Sequence, residues 1–108
     1  MKHLVGYILP AFLICLAIPM ALGLVPPNRF YGFRTPKTMS SPAVWYPANR
    51  VSGWCIIAAG LLAIGLNFAL WITHPDWPDK KLMLWMANTM SGTLLLSVAA
   101  SFYYLRKL

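Results

Sequence analysis

Charge is confined to the edges and connections of this chain, and three long uncharged stretches lie between. The nine Lys and Arg and the two Asp fall only at 2, 29–50, 76–81 and 106–107. The uncharged, mostly apolar runs are 4–25, 51–72 and 82–105, of 22, 22 and 24 residues. A helix rises about 1.5 Å per residue, so roughly 20 residues cross a hydrocarbon core of about 30 Å. Lipid offers nothing to an unpaired peptide group, so segments of this kind must close their hydrogen bonds internally. Leu, Ile, Ala, Met and Gly follow one another here without strict alternation, whereas a transmembrane barrel strand is shorter and alternates. The pattern predicts an all-α integral membrane domain over 1–108. Its three transmembrane helices are expected at about 4–25, 51–72 and 82–105, with a loop at 26–50.

The first run is longer than the 7–15 apolar residues of a signal peptide, so it is read as a retained helix. Pro10 and Pro19 should kink it, since each removes a backbone donor and crowds the preceding turn. Orientation follows from Lys and Arg in the short connections. Three spans put Lys2, Lys80 and Lys81 on one side, and Arg29, Arg34, Lys37, Arg50, Arg106 and Lys107 on the other. Six against three predicts the N-terminus outside and both the 26–50 loop and the C-terminus inside. Trp71, Trp77 and Trp85 near the outer boundary, and Trp45, Tyr46, Tyr103 and Tyr104 near the inner one, read as interfacial anchors.

Composition narrows the classes. The chain is 59% hydrophobic and 10% charged, against roughly 45–50% and about 25% in soluble domains. That excludes a soluble globular domain, a disordered chain and a disulfide scaffold. It also argues against a nucleic-acid partner despite the net charge of +7.

Asn67 lies five residues before the end of the second run, and Asn88 six residues after the start of the third. In antiparallel neighbours the two amides would share one depth and hydrogen-bond, a contact worth about 0.5–2 kcal/mol. Ala59, Gly60 and Ala63, with Ser91, Gly92, Ser97 and Ser101, supply the small residues that let helices approach. The same surfaces fit a second copy, so a homodimer is among the expected partners.

The 26–50 loop carries the information. It reads PPNRFYGFRTPKTMSSPAVWYPANR, with four basic residues, five prolines, five aromatics and no acid. A generic linker would be Gly/Ser-rich; this one should fold back on the membrane face. Pro26-Pro27 is expected to stop the first helix, and Gly32 to provide a turn of positive φ. Ser40 or Ser41 can cap a new helix with Pro42 at its first position. Trp45, Asn49 and Ser52/Gly53 would then share a face, with a bend at Pro47. Arginine forks bind phosphate or carboxylate bidentately. Arg29, Arg34 and Arg50 are therefore expected to converge on one anion, beside Asn28 and Asn49; ordinary anchoring at anionic lipid is the alternative.

The string Asn28-Arg29-x-Tyr31-Gly32-x-Arg34-Thr35-Pro36, followed by Thr38, Ser40/Ser41, Trp45 and Asn49-Arg50-x-x-Gly53, resembles the SdpI family of small bacterial membrane proteins. The motif covers about 26–53, with compatible hydropathy to the end of the chain. The resemblance implies an integral membrane protein linked to immunity against a secreted peptide toxin. It makes Asn28, Arg29, Tyr31, Gly32, Arg34, Thr35, Trp45, Asn49, Arg50 and Gly53 the candidate binding residues. Two departures stand out: three expected spans where better-known relatives have more, and Pro47 within the W-x-x-x-N-R segment.

Other chemistry is sparse. Cys15 and Cys55 sit at depths roughly 8–9 Å apart, too far for a disulfide in unshifted helices. His3, His74, Asp76 and Asp79 lack metal-ligand spacing. No nucleophile–base set or phosphate loop is present, and no ionisable Lys, Arg, Asp or Glu lies within a span. No enzyme activity, cofactor or metal is expected. The leading expectation is protection against a membrane-active peptide, by binding it or by recruiting a membrane-associated partner. The alternative is a small oligomeric transporter or lipid-handling protein with a polar path along Asn67, Asn88, Ser91 and Thr93.

Overall fold

The computed structural model describes residues 4–108, and all regular structure among them is helical. Helix α1 spans Val5–Ala21, α2 Pro42–Thr73 and α3 Asp79–Leu105, and a short 3-10 turn covers Thr38–Ser40. The three helices form an elongated bundle of 52 × 22 × 18 Å. Lys2, counted above on the outer side, and His3 lie outside the described residues. Two helices, α2 and α3, are long and apolar enough to cross a membrane. At 32 and 27 residues they extend about 48 and 40 Å.

Helix α1 is shorter than the expected 4–25. Its 17 residues reach only about 25 Å, and it does not run on to Pro26-Pro27. Gly23 ends it, at φ +73°. The Gly23 amide donates to Met20 O at 3.1 Å and the Leu24 amide to Pro19 O at 2.9 Å. That pair is a Schellman closure, which satisfies the last carbonyls by using the left-handed conformation glycine adopts freely. Neither Pro10 nor Pro19 interrupts the helix.

Helix α2 begins nine residues earlier than the apolar run. Pro42 takes the first helical position, and the Ser41 carbonyl accepts from Val44 and Trp45 at 3.2 and 3.0 Å. The Ser41 side chain makes no capping bond. The helix also runs unbroken through Pro47, the position of the expected bend. Five residues from the helix start, Pro47 deprives only the Ala43 carbonyl of its partner, and Ala43 is exposed.

Close backbone approach sets the α1–α2 seam. A Cβ on Gly53 would sit 2.4 Å from Ala21 N and 2.9 Å from Ala17 O. One on Gly60 would sit 2.5 Å from Ile14 Cγ1 and 3.3 Å from Pro10 O. Gly53, Gly60 and Asn67 are spaced by seven, so they stay on one seam as two helices wind past each other. Asn67 closes the seam, its amide donating to Gly6 O at 2.7 Å. Helix α3 buries Leu82, Met86, Met90, Thr93, Ser97, Ser101 and Leu105, a stripe repeating every three or four residues. The chain therefore threads back and forth. Gly6, Asn67 and Met86 lie at one end; Gly23, the 22–41 connection, Trp45 and Leu105 lie at the other.

Candidate functional site

Helix α2 organises the connection before it. Trp45 is fully buried and its indole N–H donates to Val25 O at 2.8 Å. One turn on, Asn49 grips Phe33 at both ends of the residue. Its Oδ1 accepts from Phe33 N at 2.6 Å, and its Nδ2 donates to Phe33 O at 3.2 Å and to Trp45 O at 3.0 Å. Gly32 fits beneath them because φ is +114° and a Cβ would lie 2.7 Å from Asn49 Oδ1 and 3.3 Å from the Trp45 ring. Met20, Val25 and Trp45 form the local core, with Tyr31, Phe33, Tyr46 and Ile56 packed on it. Trp45 is thus a core residue here, not an interfacial anchor: its face of α2 turns inward onto the connection.

The turn at 28–34 is tied down separately. Asn28 Oδ1 accepts from the Phe30 and Tyr31 amides, both at 2.8 Å, while its Nδ2 donates to Pro26 O at 2.8 Å. This is the local bonding that suits Asn to turns. The Tyr31 hydroxyl donates to Leu16 O on α1, and burial pushes its phenol pKa up. Thr35 and Thr38 bond reciprocally: Thr35 N to Thr38 Oγ1 at 2.7 Å, Thr38 N to Thr35 Oγ1 at 3.1 Å. Thr38 is fully buried. Phe33 meets Phe102 of α3 edge-on, with ring centroids 5.1 Å apart.

The cations divide into two sets. Neither α1 nor α3 carries a basic residue in its last turn, although helix C-termini favour positive charge. Arg106 and Lys107 follow α3 directly, and other parts of the chain add a cation at each of the two ends. Lys37 Nζ donates to Leu105 O at 2.8 Å, and the Arg50 guanidinium lies against Gly23, at the end of α1. Arg34 Nε folds back onto Asn28 O at 3.1 Å, while Arg29 is exposed and makes no side-chain hydrogen bond among the described residues. Of the three arginines expected to converge on one anion, Arg34 and Arg50 thus lie against different supports and Arg29 against none among the described residues. Phe30 stands at the tip between Arg29 and Tyr31, 91% exposed.

A model of the SdpI/YfhL protein family matches residues 24–104, from the connection through nearly all of α3. The chain belongs to the SdpI/YfhL family. Its similarity to the uncharacterized protein YfhL of Bacillus subtilis (strain 168) is 40% identity over 50 residues, covering 44% of this chain. The matched part spans about half the length of that curated relative, 46%. No solved structure matches. Family membership and the apolar helices together make this a membrane protein.

Within this SdpI/YfhL chain, the neutral motif residues act as a clasp. Asn28, Tyr31, Gly32, Thr35, Trp45 and Asn49 are occupied inside the protein, and Gly53 carries the seam with α1. Lys37 was missed as a site residue because its partner is a backbone carbonyl 68 positions away. The neutral surroundings of Thr38 hid its burial in the same way, although the motif contains it. The expected Asn67–Asn88 pair is not formed. Asn67 turns to Gly6 on α1, and Asn88 is exposed on the far side of α3. Equal depth brought them level, but helix rotation points them apart. The polar path proposed for transport is divided likewise: Asn67 and Thr93 are buried, Asn88 and Ser91 exposed.

Proposed function

We propose that this protein protects a bacterial inner membrane against a membrane-active peptide, and that the tip of the clasped connection is its working surface. The chain crosses three times with the N-terminus outside, so the tip and the C-terminus face the cytoplasm. Helix α1 spans by thinning or snorkelling at its short end. The clasp residues hold the turn, and Arg29 and Arg34 present planar cationic forks to a carboxylate or phosphate. Phe30 contributes an apolar side chain between them. The protein acts by binding and needs no cofactor.

One observation carries this reading: a 91% exposed Phe30 on a turn whose Phe30 and Tyr31 amides both donate to Asn28 Oδ1 at 2.8 Å, with arginines on both sides. Aromatic and arginine side chains are the types enriched at binding interfaces. The test is survival of cells challenged with a panel of membrane-active peptides. Expression of the chain should protect against a narrow set. Arg34→Ala and Phe30→Ala should abolish protection with insertion and expression unchanged; Asn49→Ala should abolish it by loosening the clasp. Full protection by all three variants refutes the assignment.

A further inference from the structure

The lipid-side face of α3 carries a feature that neither the bundle nor the clasp uses. Its buried stripe runs Leu82, Met86, Met90, Thr93, Ser97, Ser101, Leu105. At about 100° per residue, Asn88 points directly away from that stripe, with Ser91, Gly92, Leu95 and Ala99 beside it, all exposed. Asn88 lies nine residues beyond Asp79, about 13 Å along the helix, which is hydrocarbon depth if α3 crosses the bilayer.

The polar groups of α3 behave in two ways. Thr89, Thr93, Ser97 and Ser101 each donate back to a carbonyl of their own helix, at 3.0, 3.0, 2.8 and 2.8 Å. The side chains of Asn88 and Ser91 have no hydrogen bond among the described residues. A primary amide has two donors and an acceptor to satisfy, and leaving them in hydrocarbon is costly. Gly92, one turn on, has nothing within 4 Å of an added Cβ, so a second helix backbone can come close there. Of the small residues offered to a partner by the sequence, Ala59, Gly60, Ala63, Ser97 and Ser101 are buried within the monomer, whereas Ser91 and Gly92 stay exposed beside Asn88.

We propose that this face joins two copies of the chain. Two α3 helices pack in parallel about a two-fold axis along the membrane normal, and each Asn88 amide hydrogen-bonds with Asn88 of the second copy. The chemistry selects a second copy over another partner. An amide is its own complement, being donor and acceptor at once, and a two-fold along the normal brings the same residue to the same depth. Charge on this face stands only at the helix ends, where Lys81 lies with its Nζ 4.5 Å from the Trp77 ring centroid and Arg106 follows the last turn; between them the face is uncharged.

The test is oxidative crosslinking in native membranes on a Cys15→Ser/Cys55→Ser background. Leu95→Cys and Ala99→Cys should give dimers, and Leu61→Cys, on the exposed face of α2, should not. Adding Asn88→Leu should weaken dimerisation about 3- to 20-fold, and Asn88→Gln should retain most of it. Monomer alone at both α3 positions, equal crosslinking at Leu61→Cys, or dimers indifferent to Asn88→Leu overturns the proposal. Fractionation of the same samples checks insertion separately, and the result does not depend on protection against peptides.

Discussion

Gly53→Ala is the sharpest test of the helix seam. The new methyl group would lie 2.4 Å from Ala21 N, 2.9 Å from Ala17 O and 2.9 Å from Ala21 Cα. All three are backbone atoms, so no rotamer change relieves them. Ordinary contact begins near 3.4 Å, so α1 must retreat by about 1 Å along the seam. Overpacking of this kind costs about 1–3 kcal/mol, and the upper end applies because backbone must move. The control is Gly65→Ala, also within α2, where an added Cβ meets nothing within 4 Å. There the exchange should stabilise by about 0.4–1 kcal/mol, through lower unfolded-chain entropy and better helix propensity. The two alanines should therefore differ by about 2–4 kcal/mol, a separation of some 30- to 1000-fold in folding constant. Reversible unfolding in mixed micelles, followed by far-UV circular dichroism, measures both. If the variants agree within about 0.5 kcal/mol, the close α1–α2 approach is wrong.

The remaining expectations concern the clasp and its cations. Asn49→Ala leaves the Phe33 amide without its 2.6 Å acceptor, at a cost of about 1–3 kcal/mol; hydrogen exchange at Phe33 and tryptic cleavage after Arg34 should both accelerate. Lys37→Ala removes the cation from the Leu105 carbonyl and should fray the last turn of α3 by about 0.3–1 kcal/mol, read as faster exchange at Arg106–Leu108; unchanged rates refute the cap. For Tyr31, whose pKa is raised by burial, the folded form holds the proton more tightly. Its contribution is therefore complete below about pH 10 and is lost as pH rises through the higher folded pKa. Protease resistance of the connection should stay level up to that point and then fall, and Tyr31→Phe should remove this alkaline component.

Three apolar runs without charge were enough to dictate an all-helical membrane protein, because lipid leaves the backbone no other way to satisfy its peptide groups. The motif from Asn28 to Gly53 marked the connection as special, since Gly32, Trp45 and Asn49 are residue types with particular backbone and hydrogen-bonding uses. Hydropathy gave no helix ends: Gly23 stops α1 inside an apolar run, and α2 starts within the polar connection, because caps and turn geometry decide where a helix terminates. Only the packed structure decided which way each side chain faces. Asn67 and Asn88 are alike in type and depth, yet one bonds to α1 and the other looks away from the bundle, a matter of helix rotation that no single-chain pattern encodes. The split between cations placed at the ends of α1 and α3 and cations left at the tip is equally tertiary. Lys37 and Arg50 find the ends of helices distant from them in the chain, and that proximity exists only once three helices lie side by side.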